Sequence, residues 1–174
     1  MPSGVRNLPE SEVPQIRLRR TTPDDLPALF EMQCDPVSNE MAGTKPRSRE
    51  VFFAAWEGHF ANPTINSRVI EIKATENGIA ANEIAGSISC FQADGRDCVG
   101  YWIAKAHWGK RFASRALELF LKEEPRRPLF ATTASTNTAS RRILEKCGFR
   151  LTGFRMGEET ERYVAREIAE FELA

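Results

Sequence analysis

Between Lys105 and Arg115 the chain places Lys105, Lys110, Arg111 and Arg115 with no acidic residue among them. Cations at that density suit the holding of an anion. Gly109 lets the backbone come close to a ligand. Phe112, Ala113, Ala116, Leu117, Phe120 and Leu121 follow at helical spacing, so the cations sit where a strand passes into a helix. The first helical turn leaves N–H groups without an intrahelical acceptor, and these add positive potential. The segment reads either as an anion seat or as an ordinary strand-to-helix turn with solvated basic side chains. A Walker A loop would need a glycine and a hydroxyl where Ala104 and Arg111 stand, and the three glycines of a dinucleotide-binding loop are absent.

The rest of the chain makes this concentration of charge stand out. It has 174 residues, with 24 Lys+Arg against 24 Asp+Glu. Zero net charge argues against dedicated nucleic-acid binding and against a broad contact with an anionic membrane. The longest apolar run, Val51 to Trp56, falls far short of the roughly 20 residues that cross a bilayer. Residues 1–14, with Pro2, Pro9, Glu10, Glu12 and Pro14, lack a secretory h-region and read as a flexible leader before a single domain at 15–174. That pattern carries the expectation of a cytoplasmic protein. Cys34, Cys90, Cys98 and Cys147 form no C-x-x-C pair and His59 lies far from His107, so no metal site is expected.

The elements that must position the basic segment follow from periodicity. Ile16 and Leu18 alternate with Arg17 and Arg19 as a short strand. Thr22-Pro23-Asp24-Asp25 caps a helix carrying Leu26, Leu29, Phe30 and Gln33, which Asp35-Pro36 stops. A loop through Gly43 and Pro46 leads to a second helix from Ser48, with Val51, Phe52, Ala55, Trp56 and Phe60 inward, ended by Asn62-Pro63. Three strands then make a meander: Arg68 to Lys73, Glu83 to Gln92 and Cys98 to Ile103, with turns at Glu76-Asn77-Gly78 and Ala93-Asp94-Gly95-Arg96. After the Phe112 helix come a strand at Leu129 to Thr133 and a helix with Ala139, Ile143 and Cys147 on one face, closed by Gly148. Strands at Arg150 to Met156 and Arg162 to Glu172 complete the chain. This order predicts an α/β (α+β) fold, a mixed and mostly antiparallel sheet of about seven strands flanked by about four helices.

Two segments resemble the GNAT superfamily of N-acetyltransferases, in the branch of the ribosomal-protein N-terminal (alanine) acetyltransferases. One is Tyr101-Trp102-Ile103 followed by Trp108-Gly109-Lys110-Arg111-Phe112-Ala113-Ser114-Arg115, similar to the family's strand and acyl-CoA pyrophosphate loop. The other, Asn137 to Phe149, is similar to its asparagine-led helix ending in Gly-Phe. The resemblance implies acetyl-CoA as co-substrate and an amine acceptor, a protein N-terminus or a small molecule. It also implies that Trp102, Ile103, Trp108, Gly109, Lys110, Arg111, Phe112, Ala113, Ser114 and Asn137 contact the cofactor. Backbone N–H near Ile103 would polarise the thioester carbonyl, Asn137 would bind the pantetheine arm, and the strand at Tyr101 would offer its edge to the pantetheine amides.

The family usually has glycine where Arg111 stands and Arg or Gln where Trp108 stands, and many members have a tyrosine acid where this chain has Leu144. Arg111 is expected to add a charge-assisted contact to phosphate. With Leu144 apolar, the proton for the departing thiolate is assigned to Ser140, with Tyr101 behind it. Glu40, Glu71 and Glu83 are carboxylates within reach of such a centre, and none is singled out as the base. Asn39, Glu40, Met41, Trp56 and the Gly157 to Arg162 loop are candidates for holding the acceptor, with the acidic Glu158, Glu159 and Glu161 suited to a cationic amine. A non-catalytic acyl-CoA sensor or interaction module is the competing reading, and exposed strand edges are compatible with monomer or homodimer.

Overall fold

The computed structural model describes residues 15–76 and 79–174, with the side chains of 74–81 left aside. The expected leader at 1–14 and the Asn77-Gly78 turn lie outside the described residues. Seven strands form one sheet: β1 (Ile16–Arg20), β2 (Asn66–Glu76), β3 (Ile79–Ala93), β4 (Arg96–Ile103), β5 (Leu129–Ala134), β6 (Arg150–Gly157) and β7 (Arg166–Leu173). Their order is β1-β2-β3-β4-β5-β7-β6, and every pair is antiparallel except β4 with β5. Asp94 and Gly95 both take positive φ at the tight β3–β4 turn.

Alternation along the strands divides the apolar side chains between two faces. Ile70 joins Ile88, Leu117, Phe120, Leu129, Leu144 and Phe171 in the larger core, beneath α4 (Phe112–Glu123) and α5 (Thr138–Lys146). Its neighbour Val69 joins Leu26, Leu29, Phe52 and Trp56 in a second core, beneath α1 (Leu26–Gln33) and α3 (Arg49–Ala61). Full burial of such side chains contributes about 1.5–3 kcal/mol each. An ionic cluster ties the second face to β1: Arg19 binds Asp25 at 2.7 Å and Glu71 at 2.6 Å, and Arg17 adds a second contact to Glu71. Burial would raise the Glu71 carboxyl, but Arg19 and Arg17 outweigh it and hold the group below the usual carboxylate range. Glu71 is therefore a structural anchor, buried away from any role as a base.

Four expectations from the sequence need correction. Pro36–Ala42 is a helix, α2, where a loop was expected, so five helices flank the sheet. Asp35 caps it by accepting the Ser38 N–H at 2.7 Å, Pro36 fills the first turn, and Gly43 closes it at φ 70°. The Asp-Pro pair that ends α1 thus begins the next helix. Val51 and Phe60 point outward at 56% and 41% exposure, because Phe52 and Trp56 already fill the space above Val69. On α5, Ala139 is exposed and Leu144 is the buried contact. β7 begins at Arg166, since Tyr163 is drawn off to bridge Thr44.

At β3, Ile70 opposes Gly86 and Glu71 opposes Ile84, which leaves Ala85 as a bulge. A Cβ on Gly86 would fall on the Trp102 carbonyl oxygen, so glycine is what lets β4 lie this close. No helix among the described residues is long and apolar enough to cross a membrane.

Candidate active site

β4 and β5 pair at one position only, Cys98 with Phe130. That end is fastened by Arg126, which binds Glu124 at 2.8 Å and reaches Asp97 on β4 at 3.3 Å. The Arg126 guanidinium pulls the Glu124 carboxyl down to about 2. Beyond Cys98 the two strands diverge. Ala104 donates its N–H to Ala85 O at 2.8 Å, so strand alternation turns the backbone groups of Tyr101 and Ile103 away from β3 and into the opening. Trp108 donates its indole N–H to Ile103 O at 2.9 Å, which gives this tryptophan a role in securing the end of β4.

The opening leads to the loop before α4. Trp108 N–H bonds to Lys105 O, and Arg115 N–H closes the first helical bond to Arg111 O. Between them the backbone N–H groups of Gly109, Lys110, Arg111, Phe112, Ala113 and Ser114 have no acceptor among the described residues. Gly109 (φ 73°) and Arg111 (φ 65°) both adopt the left-handed conformation that curls this segment. For Arg111, which has a Cβ, that conformation costs about 1–2 kcal/mol. The position at which the resembled family carries glycine is thus one where the backbone calls for it. The Ser114 hydroxyl donates to Arg111 O at 3.2 Å, Phe112 stacks edge-on against His107, and Ala113 packs on the larger core. Arg115 pairs with Glu118 at 3.5 Å, and Lys105 lies close enough to Asp35 to help depress its carboxyl, after the Ser38 amide that is the main cause. Lys110 and Arg111 are exposed and make no ion pair among the described residues.

Across the opening, the Tyr101 hydroxyl and Ser140 Oγ are 2.8 Å apart, joining β4 to α5. Burial pushes the Tyr101 phenol up to about 12, although the Ser140 hydrogen bond acts the other way. Asn137 is the N-cap of α5: its Oδ1 accepts Ser140 N–H at 3.1 Å, and its Nδ2 donates to nothing among the described residues. Leu144 is 1% exposed in the core, far too enclosed to reach a thiolate.

Trp102 points the other way. Its side chain lines a cleft on the α1–α3 face with Leu29, Met32, Phe52, Trp56, Ser87, Gln33, Arg47 and Arg162, with a cavity volume of about 90 Å³. Ser87 and Trp102 face each other across β3 and β4, so the cleft floor is one residue from Ile103. Of the expected acceptor residues, Trp56 and Arg162 line this cleft. Asn39 is buried and spends its amide on Gln33 O and Asp35 O, while Glu40 and Met41 are exposed outside it. Glu159 is held by Lys45 and by the Ala165 N–H. Glu83 lies against His107 at 3.0 Å. Among the described residues no carboxylate lines the cleft. Arg47 escaped the reading of the sequence, since a lone arginine before a helix carries no signal of its own.

The acetyltransferase (GNAT) domain family matches residues 15–150, and the chain belongs to that family. Solved structures of the same fold include a spermidine N-acetyltransferase from Vibrio cholerae in complex with CoA and spermine (18% identity, 91% of this chain and 95% of that one, TM-score 0.73). RimL, a ribosomal L7/L12 alpha-N-protein acetyltransferase in complex with coenzyme A, is similar at 18% identity over 91% and 93% of the two chains, with TM-score 0.68. The microcin C7 self-immunity acetyltransferase MccE, in complex with acetyl-CoA and AMP, is similar at 16% identity over 93% of each, with TM-score 0.71. No curated protein matches the chain.

Proposed function

We propose that the protein transfers the acetyl group of acetyl-CoA to a primary amine. The observation that carries this reading is the run of N–H groups from Gly109 to Ser114, without acceptors among the described residues, at the mouth of the β4–β5 opening. A pyrophosphate accepts from such groups, with Lys110 and Arg111 beside it. Pantetheine then lies along the free edge of β4, with the free amide of Asn137 donating to one of its carbonyls. Family membership and the CoA complexes of proteins with the same fold support the same cofactor.

The amine enters from the Trp102 cleft, on the opposite side of β4. Its lone pair attacks the thioester carbonyl carbon, whose oxygen is polarised by the Ile103 N–H. The new C–N bond forms and the C–S bond breaks, so no acyl-enzyme is needed. The Tyr101–Ser140 pair donates to the departing thiolate. A thiol titrates near 8.5, well below a phenol at about 12, so the pair stabilises the thiolate by hydrogen bonding and remains protonated. The surplus ammonium proton leaves to solvent, which is easier for an α-amine, with a pKa near 8, than for a lysine. Four free cysteines suit a reducing compartment, and we place the activity in the cytoplasm.

Calorimetric titration with acetyl-CoA tests the cofactor. Micromolar binding, followed by thiol release with an amine panel, is the expected result. Binding without turnover would favour a sensor, and no binding to folded protein would favour an interaction module.

A further inference from the structure

We propose that the acceptor is a small amine that carries its own anionic group, a carboxylate or a phosphorus oxyanion, gripped by Arg47 and Arg162. This rests on the acetyltransferase reading and assigns its substrate class. Among the described residues the cleft beside Trp102 holds two guanidinium groups and no carboxylate. Neither arginine makes a salt bridge to any described residue. Glu159 pairs with Lys45 and Glu40 with Arg166, and neither lines the cleft.

Both guanidinium groups are half-buried and feel it. Burial lowers the pKa of Arg47, and at Arg162 burial is joined by repulsion from the Arg47 charge. Two like charges drawn together out of water, without a counter-ion, form a site that gains from receiving an anion. Hydrogen bonding points the same way. Arg162 spends one donor on Lys45 O, while Arg47 Nε and Trp102 Nε1 are buried with no partner among the described residues. Gln33 holds the Arg47 backbone from both sides, donating to its carbonyl at 3.0 Å and accepting its N–H at 2.9 Å, and the guanidinium rests over the Phe52 ring. Arg47 is therefore positioned by α1 and α3.

Size and placement limit the ligand further. The cleft is small, about 90 Å³, and suits the head of a small molecule. Its two guanidinium groups repel a polyamine. Trp102 forms part of the cleft and is the neighbour of Ile103 on β4, so a small amine held here by its anion lies on the side from which the thioester is approached.

Calorimetry on the full chain, with and without CoA, tests this using matched probes: glycine, aminomethylphosphonate and methylamine, with spermidine as the cationic control. Glycine or aminomethylphosphonate should bind at least about 30-fold tighter than methylamine, in the range expected for hydrogen bonds to charged groups. The better of the two identifies carboxylate or phosphonate as the preferred anion. Arg47→Gln and Arg162→Gln should each reduce that ratio to below about threefold. Equal binding of all four probes, no heat from either anionic amine, tighter binding of spermidine, or a ratio that survives both substitutions would overturn the proposal. The wild-type ratio needs no variant to fold and no turnover. Loss of acetyl-CoA binding in the same calorimeter would therefore strike at the acetyltransferase reading alone.

Discussion

Two regions of this molecule are suited to an anion, and they are built by different means. The Gly109–Ser114 turn offers backbone N–H groups, fixed by a helix start and two left-handed residues within one stretch of chain. The cleft on the other side of β4 offers side chains, Arg47 and Arg162, which are brought together from separate loops. A backbone cradle binds any phosphate of the right size and suits a cofactor common to a family. A side-chain clamp is specific and is rebuilt by substitution, which suits an acceptor that differs from protein to protein. β4 is shared: Tyr101 and Ile103 serve one side and Trp102 the other.

Removing the partition between the two regions is the strongest test. Gly86→Val places side-chain atoms on the Trp102 carbonyl and the Ile103 backbone, and neither can retreat. We expect a loss of about 3 kcal/mol or more, seen as a collapse of the denaturation midpoint or as insoluble protein, with both sites lost together. The next effect is confined to the cofactor side. The Tyr101 phenol titrates near 10 when unfolded and at about 12 in the fold, so between those values the unfolded chain holds fewer protons and stability falls as pH rises. The loss approaches 2–3 kcal/mol by pH 12 and is absent below pH 10. Denaturation midpoints from pH 9 to 11.5 check this, with Tyr101→Phe showing a flatter profile than the wild type.

Smaller effects separate chemistry from binding. Ser140→Ala removes the partner of Tyr101 and should lower kcat about 10-fold with little change in the KM for acetyl-CoA; unchanged turnover would take Ser140 out of the mechanism. Arg111→Gly relieves the left-handed strain and should raise Tm by a few degrees, equivalent to about 1 kcal/mol. It should also weaken acetyl-CoA several-fold by calorimetry, because a phosphate contact goes with the side chain. Tighter binding would mean that the arginine obstructs the cradle.

These tests differ in how visible their targets were in the chain itself. The seven strands, the capped α1 and the basic strand-to-helix turn are legible because each rests on neighbours in sequence: alternation, Thr22 to Asp25, and the cations between Lys105 and Arg115. The short α2 is not, since seven residues with Ser38 and Asn39 buried show no apolar stripe. The direction of Val51 and Phe60 depends on which residues win the space over Val69, which is decided by packing. The arginine clamp is illegible for the same reason. Arg47 gains its meaning only when the chain returns at Arg162, brought there by the Thr44–Tyr163 bridge.

The single pairing between β4 and β5 has a mechanical consequence. The sheet is two plates, β1 to β4 and β5 to β7, riveted at Cys98 and latched at the far end by the Tyr101–Ser140 bond. A pantetheine chain seated in the gap becomes the missing plank between them. Occupancy should then slow amide hydrogen exchange along the facing edges of both plates, and the free enzyme should breathe along that seam before it melts anywhere else.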